Sequence, residues 1–340
     1  MSEPANDLVL PLLDTIETSV GEPPPNTLRD HVLRFHRAEM ISTRSVYVSL
    51  PGRNPERRIE ALDNCKKNAW FVRNVDTGMV KVVSSSCKLR WCPMCSNARK
   101  YHLAGQVTEW LEGVAKPKFL TMTLKHTAQP LAEQIDHLYN SFRKFRMIKE
   151  HKKKIKGGVW FFQIKKSKKD NLWHPHLHCV IDSKWIDGKK LWRTWLKITG
   201  TSKVIDIRAV KDPDKVAEYV ARYSARPSDL AVLGAPDQLE LVTALHGRRL
   251  VGTWGTAREM SLSPSKPPDA DRWRKVGSWW TVASLFAIDD RARNIWSAFK
   301  LNKPMAIEDD LYYVEQQWLG TAAEVHCKKK EAWQSCFEFM

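Results

Sequence analysis

The clearest order in the chain lies between residues 117 and 217. Phe119-Leu120-Thr121-Met122-Thr123-Leu124 is short, apolar and β-branched, and Pro117 precedes it, so it predicts a strand. Leu131, Ile135, Leu138, Phe142 and Phe145 then recur at spacings of 4, 3, 4 and 3, predicting an amphipathic helix over 130–149. Val159–Ile164 and His176–Ile181 predict two strands, joined by the charged, turn-rich loop Lys165–Asn171. Leu191, Trp192, Trp195, Leu196 and Ile198 predict a helix over 188–198, and Lys203–Ile207 alternates as a strand does. Asp212-Pro213 opens a further helix with an N-cap residue and a proline at its first position. The first six elements have the order of a ferredoxin-like (RRM-like) βαββαβ unit, an antiparallel sheet with helices on one face. The expected fold class is therefore α+β.

Around that unit the pattern weakens. Residues 1–60 read as a flexible acidic leader ending in Glu22-Pro23-Pro24-Pro25, followed by a basic linker without a clear period. Residues 61–104 form a Cys-rich segment and 105–235 the βαββαβ domain. Residues 236–262, with Gly247, Gly252 and Gly255, suggest a hairpin-like extension, and 263–340 a Trp-rich, mostly helical region.

Composition narrows the class of partner. The 340 residues carry 55 Lys plus Arg against 38 Asp plus Glu, a formal charge of +17, which favours a polyanion. No apolar run approaches the ~18 residues of a membrane helix. Before Arg29 there are acids and no base, the reverse of a secretory signal, so the expected location is the cytoplasm. There are 15 tryptophans, more than the Phe or the Tyr.

Three constellations carry chemistry. The first is Cys87-x4-Cys92-x2-Cys95 with Cys65 upstream, four thiols that match a structural tetrahedral zinc site, with His102 an alternative to Cys65. A thioredoxin-type reading of Cys92-x-x-Cys95 lacks the apolar strand that fold places before the motif. The second is Trp173-His174-Pro175-His176-Leu177-His178. On a strand His176 and His178 project from one face, and paired imidazoles can hold a divalent metal with positions left open. Gln163 and His174 compete as third ligand. The third is the helix of Val216, Tyr219, Val220 and Tyr223, where two tyrosines four residues apart share a face. Taken alone, a pair of core aromatics explains them better, but this helix follows the last strand and can pack beside the His strand.

In combination these motifs resemble the HUH endonucleases, and most closely the rolling-circle replication initiators (Rep proteins) of plasmids. Cys87-Lys-Leu-Arg-Trp-Cys92-Pro-Met-Cys95 is similar to the Cys-rich segment ahead of their nuclease domain. The resemblance spans roughly residues 61–258, most specifically His174–Ile181 and Tyr219–Arg226. It implies a metal-dependent endonuclease and strand transferase that nicks single-stranded origin DNA, with Mg²⁺ or Mn²⁺ on His176 and His178. A tyrosine attacks, giving a 5′-phosphotyrosine and a 3′-OH that a host polymerase extends while a host helicase unwinds. Two departures stand out. Tyr219 occupies the position four before Tyr223 where many one-Tyr initiators have Glu, with Glu218 displaced by one, and Gln163 stands where a Glu is common. The pair Tyr219/Tyr223 looks like that of two-Tyr initiators, in which Tyr223 would cut first and Tyr219 serve the second transfer.

Lys165, Lys166, Lys168 and Lys169 in the strand loop, together with Arg222 and Arg226, are expected to contact DNA, and Trp173 to stack an unpaired base. An HUH transposase is the alternative enzyme, and a non-enzymatic zinc-containing nucleic-acid-binding protein a further one. A homodimer is a further possible partner, with residues 262–340 a candidate surface for it.

Overall fold

The computed structural model describes residues 27–50, 54–167, 169–213, 215–217, 230–263, 270–305, 312–319 and 322–329. The chain divides into two compact units, one centred on residues 99–263, the other on residues 6–98 with 264–340.

In chain order the first elements are α1 (Leu28–Ser49), α2 (Pro55–Asp63), β1 (Ala69–Asn74), β2 (Val80–Ser84) and α3 (Pro93–Glu112). Then come β3 (Pro117–Thr123), α4 (Leu131–Met147), α5 (Lys149–Lys154), β4 (Ile155–Lys166) and β5 (Trp173–Ser183). They are followed by α6 (Gly188–Thr199), β6 (Ile205–Ala209), α7 (Ala235–Ala244) and β7 (Val251–Gly255). The last are β8 (Trp273–Ser278), α8 (Trp279–Leu285), α9 (Asp290–Lys300), β9 (Tyr312–Leu319) and β10 (Ala322–Lys329).

In the unit of residues 99–263, the sheet runs β6-β3-β5-β4-β7 with every neighbouring pair antiparallel. Its first four strands have the order of the split βαβ unit, the strand after each crossover lying beside a partner of opposite direction. One face packs on α4 and α6 through Leu131, Ile135, Leu138, Phe142 and Phe145 of α4 and Leu191 and Trp195 of α6, all buried. Trp195 donates its Nε1–H to the Thr123 carbonyl oxygen at 2.8 Å, tying α6 to the end of β3. The other face carries Val159, Phe161 and Val180, covered by Leu103, Val107 and Leu111 of α3. Strands β4 and β5 turn through Asn171, whose φ of 56° lies in the left-handed region that Asn tolerates better than most residues.

Residues 236–262 depart from the expected hairpin. They form α7 and then β7, and β7 pairs with β4 rather than with a neighbour in sequence. Gly252 is what lets that edge close: a Cβ there would lie 2.5 Å from Trp160 Nε1. Helix α7 in turn pins the site strands. Glu240 accepts Trp173 Nε1–H at 2.8 Å and the Leu131 backbone N–H at 3.1 Å. The second contact matters because Pro130, the residue before α4, has no side-chain oxygen to cap it.

In the other unit the sheet order is β10-β9-β8-β1-β2, with β8 and β9 parallel and the remaining pairs antiparallel. Phe71 sits in an aromatic core against Trp279, Trp296 and Phe299, with centroids 5.2, 6.3 and 5.5 Å away. The C-terminal region thus supplies strands β8, β9 and β10 as well as helices, where the sequence predicts mostly helix. The basic stretch after residue 30, expected as a linker, is helical. Thr27 caps α1 by accepting from Asp30 N–H, and a non-helical His36 (φ −129°) interrupts the periodicity that would have revealed the helix. The expected leader to residue 26 lies outside the described residues.

Replacing Glu240 by Ala should lower the unfolding free energy by about 1–3 kcal/mol, since two donors lose their acceptor. Denaturant melts check this, and Glu240→Gln, which keeps an acceptor oxygen, should lose less.

Candidate functional site

The register of β4 and β5 sets Gln163 opposite His176 and Phe161 opposite His178, so the two histidines and Gln163 share one face. Their polar atoms converge. Gln163 Oε1 lies 2.5 Å from His176 Nε2 and 2.6 Å from His178 Nε2. The two rings are 4.9 Å apart and nearly perpendicular, and all three residues are buried. His178 is flanked by β3: its ring stacks on Phe119 at 5.2 Å, and its Nδ1 lies 3.2 Å from Thr121 Oγ1. Thr121 carries no signal in the sequence. Alternation in Phe119–Leu124 places it on one side of the strand, but which strand lies alongside is not visible locally.

Burial pushes the His176 pKa down to about 4 and, with the added charge of His176, that of His178 down to about 3. Both rings are therefore neutral near pH 7, and each carries one N–H. His176 faces two acceptors, Gln163 Oε1 and the His174 carbonyl oxygen, the latter 3.1 Å from Nδ1. A neutral ring cannot donate to both. A cation held by the two Nε2 atoms and Oε1 removes the conflict, because the single proton then serves Nδ1 while the lone pairs face inward. The donor set fits a divalent metal.

His174 is placed differently from its two neighbours. Its ring packs on His126 at 4.2 Å, with His126 Nδ1 3.4 Å from Asp170 Oδ2, and its contribution to His176 is its backbone carbonyl. Gln163, not His174, offers the atom that meets both imidazoles. Over the same sheet face, the helix opened by Asp212 begins as its cap residues predict: Asp212 accepts Lys215 N–H at 3.1 Å. It delivers Val216 and the buried Ala217 to the core of Val159, Phe161 and Val180. Glu218, Tyr219, Arg222, Tyr223 and Arg226 lie outside the described residues.

The four cysteines meet in the other unit. Cys65, Cys87, Cys92 and Cys95 place their sulfurs within 4.8 Å of one another. Cys95 lies 3.5 Å from Cys65 and 3.6 Å from Cys87, and Cys92 is 3.8 Å from Cys65. These separations exclude disulfides and match the edge of about 3.8 Å of a tetrahedron with metal–sulfur bonds of about 2.3 Å. The thiols of Cys65, Cys87 and Cys92, with the Ser86 hydroxyl, hold the Cys95 thiol well below its ordinary pKa. The cluster can bind a metal ion, and its chemistry suits zinc. Helix α1 grips both sides of it: Arg29 donates to the Cys65 carbonyl at 3.1 Å, and Thr43 to the Trp91 carbonyl at 2.8 Å. His102, the alternative ligand, instead places Nε2 2.8 Å from the Ser261 carbonyl oxygen.

Two of the expected DNA contacts, Trp173 and Lys166, have partners within the protein. Trp173 is 6% exposed, lies on the face opposite the histidines and donates its indole N–H to Glu240, the placement of a packing residue rather than of an exposed stacking one. Lys166 covers its ring at 5.0 Å and is paired with Asp237 at 2.5 Å. Lys165 and Lys169 are exposed, and Lys165 stands on the His face opposite His174. Lys168 lies outside the described residues. Trp192, a core position by its spacing, is 39% exposed, whereas Trp195 is buried.

A βαββαβ sheet with an inward histidine pair on a central strand, in a chain with a four-cysteine cluster, defines the HUH type of fold. The sequence profile of the replication protein family matches residues 80–276, and the chain belongs to that family. It is similar to "Protein rep" of Bacillus amyloliquefaciens, 26% identical over 246 residues, covering 60% of this chain and 72% of the relative. "Protein rep" of a Bacillus species is 27% identical over 265 residues, covering 64% and 86%. "Protein rep" of Staphylococcus aureus is 26% identical over 196 residues, covering 52% and 86%. No solved structure matches significantly. The chain is thus a replication initiator of the plasmid Rep type, a class that binds origin DNA, and the transposase reading gives way to it. Among the described residues no helix is long and apolar enough to cross a membrane.

The buried imidazoles make stability depend on pH, and the buried thiols make it depend on metal. In metal-free protein, stability should be full above pH ~6.5, where unfolded imidazoles are neutral too. It should fall with pH down to about 4, because the unfolded chain takes up protons that the folded pair refuses, by at most about 1.4 kcal/mol per pH unit for each ring. Urea midpoints at several pH values should show a flatter dependence in His176→Gln/His178→Gln. Separately, the purified protein should carry stoichiometric zinc that a chelator removes with loss of thermal stability, and Cys92→Ser should reduce the zinc content measured by mass spectrometry of the metal.

Proposed function

We propose that the protein starts rolling-circle replication by nicking one strand of a plasmid origin and later rejoining it. The observation that carries this reading is the convergence of His176 Nε2 and His178 Nε2 on Gln163 Oε1, in a site where both rings stay neutral. A Mg²⁺ or Mn²⁺ ion held there would polarise the scissile phosphate and stabilise charge building on its oxygens. Gln163 is uncharged, so it leaves that charge less neutralised than a carboxylate would.

The hydroxyl of Tyr223 attacks phosphorus in line. The bond to the 3′-oxygen breaks, leaving a 3′-OH on one side and a 5′-phosphotyrosine on the other. The phosphodiester energy is conserved in that linkage, so no external energy source is needed for the second transfer, assigned to Tyr219. Glu218 is the alternative group for that step, activating water. Arg222 and Arg226 on the same segment, with the exposed Lys165 and Lys169 beside the sheet, supply positive charge for the strand. The freed 3′-OH suits extension by a host polymerase behind a host helicase in the cytoplasm, with a homodimer able to present two such sites. The cysteine cluster, loaded with zinc, plays a structural part.

The test is covalent capture of a labelled origin oligonucleotide. Wild type with Mn²⁺ should form a denaturation-resistant adduct, His176→Ala and Tyr223→Phe should form none above about 1% of it, and Tyr219→Phe should cut once but fail to rejoin. Adduct formation by Tyr223→Phe at the wild-type level would overturn the assignment.

A further inference from the structure

Thr121 stands one strand away from the histidine pair and belongs to neither motif of the sequence. It lies opposite His178 in the β3–β5 register, and its Oγ1 is 3.2 Å from His178 Nδ1. On the far side of the same ring, Nε2 meets Gln163 Oε1 at 2.6 Å. The ring is buried and its plane is set by Phe119, stacked at 24°. The two histidines differ in what meets their outer nitrogens. His176 Nδ1 faces a carbonyl oxygen, which only accepts, so that contact favours the proton on Nδ1. His178 Nδ1 faces a hydroxyl, which can donate or accept.

We propose that Thr121 is a positioning residue that sets the tautomer of His178 and thereby tunes how tightly the His176–His178–Gln163 site holds its metal. The inference rests on the metal-site reading given above. With Nε2–H donated to Gln163, Nδ1 has a lone pair and Thr121 donates to it. With Nε2 turned to a cation, the proton moves to Nδ1 and Thr121 accepts it. The hydroxyl rotates between the two roles with no movement of the strand. A Val at this position has nearly the same shape and can play neither role, so the liganding tautomer would lose the hydroxyl acceptor at Nδ1. Removing the partner behind a liganding histidine generally weakens metal binding 10–100-fold.

The experiment measures Mn²⁺ affinity by electron paramagnetic resonance on the zinc-loaded full chain, for wild type, Thr121→Val, Thr121→Ser and His178→Ala. In parallel, ¹⁵N spectra of histidine-labelled protein report the tautomer of His178, and thermal melts report folding. The expected result is Mn²⁺ binding about 10-fold weaker in Thr121→Val at an unchanged fold, restored in Thr121→Ser, with the His178 ¹⁵N pattern altered in Thr121→Val but not in Thr121→Ser. Wild-type affinity and an unaltered ¹⁵N pattern in Thr121→Val would overturn the role of Thr121 while leaving the metal site intact. Absence of Mn²⁺ binding in wild type, or equal binding in His178→Ala, would overturn the metal site itself. If Thr121→Val unfolds, Thr121→Ala supplies the same comparison, and equal affinity in a folded Thr121→Ala overturns the proposal.

Discussion

Strands β4 and β5 are paired from Ile155 opposite Ser183 to Lys166 opposite Trp173, and the geometry of the candidate site depends on the register of that one ladder. Side chains alternate across a strand, so a slip of one residue would carry Gln163 to the helix-packed face and leave the histidines opposed by Phe162 and Ile164. Several devices forbid the slip. Both faces of β5 are buried but differ in polarity, so a slip would set polar side chains in the apolar helix-packed layer. Asn171 fixes the turn. At the same end of the ladder, Trp173 is anchored through its indole to Glu240, which also caps α4. The helix layer and the site strand are thereby fastened by one carboxylate, whose loss would loosen both.

The parts of the fold that are legible in the sequence are those with a single dominant period. Helix α4 is readable because its apolar stripe covers one face, and the order of strands and helices from 117 to 209 points to the antiparallel unit. What stays hidden is non-local. No local pattern says that β7 adds to β4, or that β8 returns to pair with β1 across some two hundred residues. Helix α1 is hidden for a different reason, since its kink at His36 resets the phase of the buried positions.

The site shows the same division. His176 and His178 are legible because two histidines two apart on an apolar strand gain little from burial unless something binds them. Gln163 is one of two options that only the strand pairing separates, and Thr121 is invisible. Trp173 misleads because its neighbours in sequence are candidate site residues while its neighbours in space are Glu240 and Lys166. An aromatic residue beside a polar motif reads as exposed, yet on a strand adjacent residues point to opposite sides, and here the opposite side is core. The cysteines are legible through their spacing alone, although nothing in that spacing announces that a helix some thirty residues upstream grips the cluster.

The burial of β5 on both faces also bears on how such a protein can change over time. A strand with one wet face tolerates drift at every second position, and β6, with its exposed Arg208 and Ala209, has that freedom. Strand β5 has almost none, because each residue either packs against the helices or frames the histidine pair. Substitutions should therefore accumulate at the rim of the sheet while its middle strand stays nearly frozen. The chain is only about a quarter identical to these relatives over the matched spans, which leaves ample room for such a pattern.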